Sequence, residues 1–97
     1  MPKGYWIAQF DVTDPAAYEA YRTANAIPFG KFGARFVVRG GAQQVREGDA
    51  KSRTVVIEFK DLVTAIACYE SAEYQAAKAI RAPASVGDLM IVEGYDG

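Results

Sequence analysis

The chain has 97 residues, enough for one compact domain and a single core. Hydrophobic residues make up 51% and charged residues 24%, a globular composition that excludes a disordered chain. A net charge of −1, with eleven Lys and Arg scattered rather than striped, excludes nucleic-acid binding, and no apolar run nears the roughly 20 residues that span a bilayer.

Residues 5–12 read as the first strand, and side-chain alternation gives it two faces. Trp6, Ala8, Phe10 and Val12 share one, while Tyr5, Ile7, Gln9 and Asp11 share the other. Apolar side chains stand on both, so alternation leaves open which face meets the helices. Asp14 is a helix N-cap, with Pro15 at the first helical position, where its missing N–H costs nothing. Tyr18, Tyr21 and Asn25 follow at helical spacing, beside a stripe of Ala17, Ala20 and Ala24 that suits close packing on a sheet. Pro28 and Gly30 are expected to break or kink this helix, and Gly33 to close its last turn.

Residues 34–39 form a second strand rich in β-branched and aromatic side chains. Gly40-Gly41 reads as a bulge or bend after which residues 43–46 continue the strand, and 47–52 as a charged hairpin loop. The third strand, 53–59, sets Arg53, Val55, Ile57 and Phe59 against Thr54, Val56 and Glu58. Asp61 caps a second helix whose buried stripe is Leu62, Ala65, Ile66 and Tyr69. Ser71 reads as a fresh N-cap, with Glu73 in the next first turn to suit the helix dipole, so the helix breaks and restarts. Tyr74, Ala77 and Arg81 then share a face, Pro83 and Gly87 end the helix, and 89–93 is the last strand.

The order β-α-β-β-α-β with right-handed crossovers gives an α+β, ferredoxin-like fold: one four-stranded antiparallel sheet with both helices on one face. Its other face carries Ile7 and Val56, joined by Val37 or Leu89, beside Gln9, Asp11 and Glu58. Burying each large apolar side chain gains about 1.5–3 kcal/mol, so a second copy laid face to face is expected, closing a dimeric α/β barrel. The start of the chain lacks signal-peptide sections, and the one cysteine, Cys68, has no disulfide partner in the chain, which points to the cytoplasm.

There is no histidine, hence no usual haem ligand, zinc ligand or general base, and no Gly-rich nucleotide loop. Neither a metal nor a cofactor is expected. Cys68 sits mid-helix and reads as a small hydrophobe. Asp11, Glu58 and Glu93 occupy strand positions where neutral residues would be cheaper; they serve either as ion pairs at strand ends and across the dimer seam or as acids and bases in a pocket. Arg39, Arg53 and Arg81 are their available partners, or else holders of an anionic ligand. Tyr18, Tyr21, Tyr69 and Tyr74 are either core residues with a polar tip or the walls of a cleft.

The segments Gly4-Tyr-Trp-Ile-Ala8, Asp11-Val-Thr-Asp-Pro15, Tyr18 and Tyr21, Arg39-Gly40-Gly41, Glu47-Gly48, Arg53 with Val-Val-Ile-Glu-Phe, Tyr69-Glu-Ser-Ala-Glu-Tyr-Gln75, Arg81 and Ile91-Val-Glu-Gly94 span nearly the whole chain. Together they resemble the bacterial family catalogued as domain of unknown function 1330. The resemblance implies the dimeric α/β-barrel superfamily and brings no established activity. Superfamily relatives include cofactor-free monooxygenases, isomerases and haem enzymes; the haem branch normally uses histidine, which this chain lacks. The matched Arg39, Glu58, Tyr69, Tyr74 and Arg81 are carried over as pocket candidates.

The expectation is a small cytoplasmic homodimer that binds a small organic molecule, anionic or aromatic, in a cleft between sheet and helices. Glu58 would orient or deprotonate the ligand, Arg39 or Arg81 would hold an anionic group, and Tyr18, Tyr69 and Tyr74 would form walls. One alternative is a cofactor-independent enzyme with Glu58 or Asp11 as general base. Another is a structural or interaction module whose polar residues only knit the dimer.

Overall fold

The computed structural model describes residues 2–97. Its strands are β1 (Gly4–Val12), β2 (Arg35–Arg39), β3 (Arg53–Phe59) and β4 (Ser85–Glu93). Its helices are α1 (Pro15–Ala24), α2 (Ala26–Lys31), α3 (Leu62–Glu70) and α4 (Ala72–Arg81), with a 3₁₀ turn at Ala82–Ala84. The sheet runs β2-β3-β1-β4 with every neighbouring pair antiparallel, so the fold is the ferredoxin-like α+β arrangement. All helices cover one face, giving a slab only 17 Å thick.

Bulk decides which face they cover. Trp6, Ala8 and Phe10 lie under the helices with Val55, Ile57 and Phe59, and the smaller, more polar set faces out. Trp6 is the hub: its ring lies 4.7 Å from Tyr74, 5.2 Å from Phe29 and 5.4 Å from Phe59. Its Nε1–H donates to the Ala65 carbonyl at 2.8 Å, so the indole anchors α3 without stranding a buried donor.

Local chemistry sets the helix starts. Asp14 accepts from the Ala17 N–H at 3.2 Å and Asp61 from the Thr64 N–H at 2.8 Å. Ser71 separates α3 from α4: its hydroxyl accepts from the Tyr74 N–H and donates to the Cys68 carbonyl at 2.7 Å. Among the described residues, no helix is long and apolar enough to cross a membrane.

Four expectations need correction. The first helix breaks at Asn25 rather than at Pro28, because Pro28 sits in the first turn of α2, where backbone N–H groups lack helical partners anyway. Residues 43–46 do not continue the strand; Gly40 (φ 67°) turns the chain out of the sheet. The arm is instead tied back by the Gln43 amide, which bonds the Lys51 carbonyl and the Thr54 hydroxyl. On α3 the fully buried residues are Ala65 and Cys68, while Ile66 is exposed. Finally, β4 begins at Ser85, with Gly87 paired to Phe10 inside it; a Cβ at Gly87 would strike the Gln9 carbonyl. Gly87 is thus a close-approach residue of a strand, not a helix stop.

The outer face joins Val56, Ile7 and Met90 in one row across β3, β1 and β4. Val38, Val86 and Val92 extend it and are exposed with Met90. Leu89, which had been expected on this face, packs against the core with Ile91.

Candidate functional site

Between the inner sheet face and α1 lies a cleft whose floor is Trp6, Ala8, Phe10 and Phe29. Its cavity is narrow, about 30 Å³, room for a water or two. Three guanidinium groups form the rim: Arg22 from α1, Arg39 from β2 and Arg53 from β3. The lining contains no carboxylate.

Each arginine is held by its surroundings. Arg39 lies over the Phe36 ring at 4.0 Å. Arg53 stands 5.5 Å over Tyr18 and against Gly40, where any side chain would collide with its Nη1. Arg22 pairs through Nη1 with Glu19 at 3.1 Å. The Nε atoms of Arg22 and Arg53 are buried without a hydrogen-bond partner, an unusual surplus of donors in a confined space.

Tyr21 and Asn25 complete the α1 wall. The Tyr21 hydroxyl lies 2.9 Å from that of Tyr74, which is wholly buried. Behind both sits Arg81, itself buried, its guanidinium 4.5 Å from the Phe10 ring and 5.6 Å from that of Tyr21. Burial pushes the Tyr21 and Tyr74 hydroxyls above the ordinary tyrosine range, so both are neutral donors at neutral pH.

Of the residues expected in one cleft, Tyr18 and Arg39 line this cavity. Tyr74 and Arg81 stand behind its wall rather than in it, and Tyr69 packs on Trp6 and Tyr74 under the Lys78 ammonium. Glu58 and Asp11 lie on the opposite face of the sheet, because they share strand parity with Val56 and Ile7. Glu58 accepts from the Tyr5 hydroxyl at 3.1 Å and pairs with Arg35 at 3.3 Å. Asp11 accepts from the Ser52 N–H at 2.8 Å, which holds its carboxyl below the usual range and fastens the base of the arm.

Arg22 and Asn25 were missed, while Arg53 was among the expected anion holders; the signal was present for all three. Arg22 follows Tyr18, and Asn25 follows Tyr21, by one helical turn, and Arg53 shares the parity of Val55, Ile57 and Phe59. Among the described residues, no group of three or more His, Cys, Asp or Glu is placed to hold a metal ion. Cys68 is buried and its thiol is pushed up to about 12 by burial, far from a nucleophile's range.

The family model described as a domain of unknown function (DUF1330) matches residues 3–95. No curated protein sequence matches the chain. Among solved structures, a protein of unknown function from Rhodopseudomonas palustris is similar at TM-score 0.77 and 14% identity, over 99% of this chain and 85% of that one. SnoaB, a cofactor-independent oxygenase from Streptomyces nogalater, is similar at TM-score 0.66 and 15% identity, over 100% and 97%. A dimeric ferredoxin-like protein of unknown function from Thermobifida fusca is similar at 0.61 and 22%, over 95% and 89%. At these identities the likeness is one of fold.

Proposed function

The chain belongs to the DUF1330 family, whose description carries no activity, so we propose its function from the cleft: a cytoplasmic homodimer that binds a small organic anion between sheet and helices. The observation that carries this reading is the arginine rim, three guanidiniums without a lining carboxylate, above an aromatic floor. Unpaired buried cationic donors are costly, and an anionic ligand supplies the missing acceptors. An apolar ring or chain on the ligand would lie against Trp6, Phe10 and Phe29. The cavity is smaller than such a ligand, so binding requires the cleft to widen, and Arg39 is the exposed member of the rim. Arg39, Arg53 and Tyr18 thus keep the ligand roles expected of them, and Arg22 and Asn25 join them.

The homodimer rests on the apolar row of the outer face and on the dimeric state of the Thermobifida fusca relative in fold. Glu58 and its neighbours would then lie near the seam. The cytoplasmic assignment rests on a single, unpaired cysteine.

A second reading, a cofactor-independent enzyme, draws on the likeness to SnoaB. Asp11 is a poor base for it, since the Ser52 N–H stabilises its ionised form. In this reading chemistry runs beside Tyr21 and the arginines, or at the seam with Glu58.

The test compares aromatic carboxylates with their neutral amides, benzoate against benzamide, by NMR titration. Binding of the acid but not the amide, lost in Arg39→Ala/Arg53→Ala, supports the anion site. Equal binding of both, or of neither, refutes it.

A further inference from the structure

Resting on that anion site, we propose that Tyr21 supplies a neutral hydrogen-bond donor to the ligand, so that the cleft selects acids bearing a second oxygen, a keto or hydroxy acid. Arg81, which has only donors to offer, sits behind the two tyrosines with its guanidinium 5.6 Å from the Tyr21 ring. Among the described residues no carboxylate pairs with Arg81, and its Nε has no partner. Tyr74 has no exposed surface, so water cannot take its proton, and the Tyr21 oxygen at 2.9 Å is the acceptor within reach. Among the described residues no other acceptor bonds the Tyr74 hydroxyl, so Tyr74 donates to Tyr21.

Having accepted from Tyr74, the Tyr21 hydroxyl has its own proton left to give, and Tyr21 is the member of this pair that lines the cleft. The result is a donor oriented from behind by Tyr74, which does not need to touch the ligand. Tyr74 is a positioning residue in this scheme. A carboxylate alone satisfies the arginine rim and leaves the Tyr21 donor unpaired; a ketone or hydroxyl oxygen on the same ligand pairs it.

The test uses two matched pairs of acids, phenylglyoxylate with phenylacetate and pyruvate with propionate, each differing by the ketone oxygen. Affinities are measured by isothermal titration calorimetry on the wild type, Tyr21→Phe and Tyr74→Phe, with circular dichroism as the folding check. A keto acid bound about tenfold more tightly than its partner is expected in the wild type. In Tyr21→Phe that ratio falls to about one while phenylacetate binds as before. Tyr74→Phe lowers the ratio without changing phenylacetate affinity, which a merely structural role would not do. A wild-type ratio near one in both pairs overturns the inference and leaves the anion site standing. A ratio that survives Tyr21→Phe also overturns it, and binding of none of the four acids overturns both. A wild-type ratio near one refutes the inference whatever the variants do, so a variant that fails to fold does not protect the proposal.

Discussion

Replacing Met90 by Asp tests the outer face as a dimer seam. Met90 sits in the row with Ile7 and Val56 and is 55% exposed, so the substitution leaves the core of a single chain intact. Full burial of such a side chain gains about 1.5–3 kcal/mol, and a seam would bury roughly the exposed half of it. Two-fold symmetry counts the residue twice, so about 1.5–3 kcal/mol of association is lost from apolar contact. Two carboxylates facing a dry seam add several kcal/mol, and Asp88, two residues along on the same face, offers repulsion rather than a partner. A total of at least about 4 kcal/mol raises the dimer Kd roughly a thousandfold. Sedimentation velocity over a dilution series measures this, with circular dichroism confirming a folded chain. The control is Ile27→Asp on α2, where Ile27 is 68% exposed on the helical side. A dimer that tolerates Met90→Asp, or dissociates equally with Ile27→Asp, would refute the seam.

Trp6→Phe removes the donor to the Ala65 carbonyl and leaves a gap among Tyr74, Phe29 and Phe59; urea unfolding should show a loss of about 2–3 kcal/mol, and a loss under 1 kcal/mol would mean that Trp6 is not the hub. Cys68 titrates near 9 when unfolded and is pushed up to about 12 when folded, so its contribution is fully present below pH about 9 and is lost as pH rises toward 12. Cys68→Ala should therefore flatten the alkaline decline in stability measured by urea titration, and an unchanged decline would place the titration elsewhere. Asp11, Asp61 and Glu73 are each held below the ordinary carboxylate range by hydrogen bonds, so their contribution is present above pH about 4 and fades on acidification. Deleting Val37, which has no partner on β3, should leave the β2–β3 pairing, stability within about 1 kcal/mol and benzoate binding intact; unfolding or lost binding would give the bulge a further role.

Most of the fold was legible because its signals are local. Asp14, Asp61 and Ser71 mark helix starts through one side-chain bond each, and β1 and β3 declare themselves by alternation of large side chains. The misread segments are those where tertiary contact outweighs local propensity. Gly87 has the look of a breaker, yet the close approach of the Gln9 backbone is what requires glycine there. Residues 43–46 have acceptable strand chemistry, but the turn at Gly40 and the Gln43 bonds hold them off the sheet.

The candidate site was harder to read because a sheet residue's chemistry and its face are independent. Glu58 and Arg53 stand five residues apart on one strand, and opposite parity sends one outward and the other to the cleft. Once Trp6 and Phe10 are recognised as the bulkier face, parity alone assigns Arg53 inward and Glu58 outward. Arg39 escapes that reasoning. From Phe36, which faces the core, strict alternation would turn Arg39 outward. The irregularity between Phe36 and Val38 instead pairs Val38 with Val56 and Arg39 with Val55, returning Arg39 to the inner face. A single extra residue in β2 thus sets the third guanidinium over the cleft. A bulge in a β-branched run leaves no mark in composition or periodicity, so this part of the site had to be seen in the sheet register.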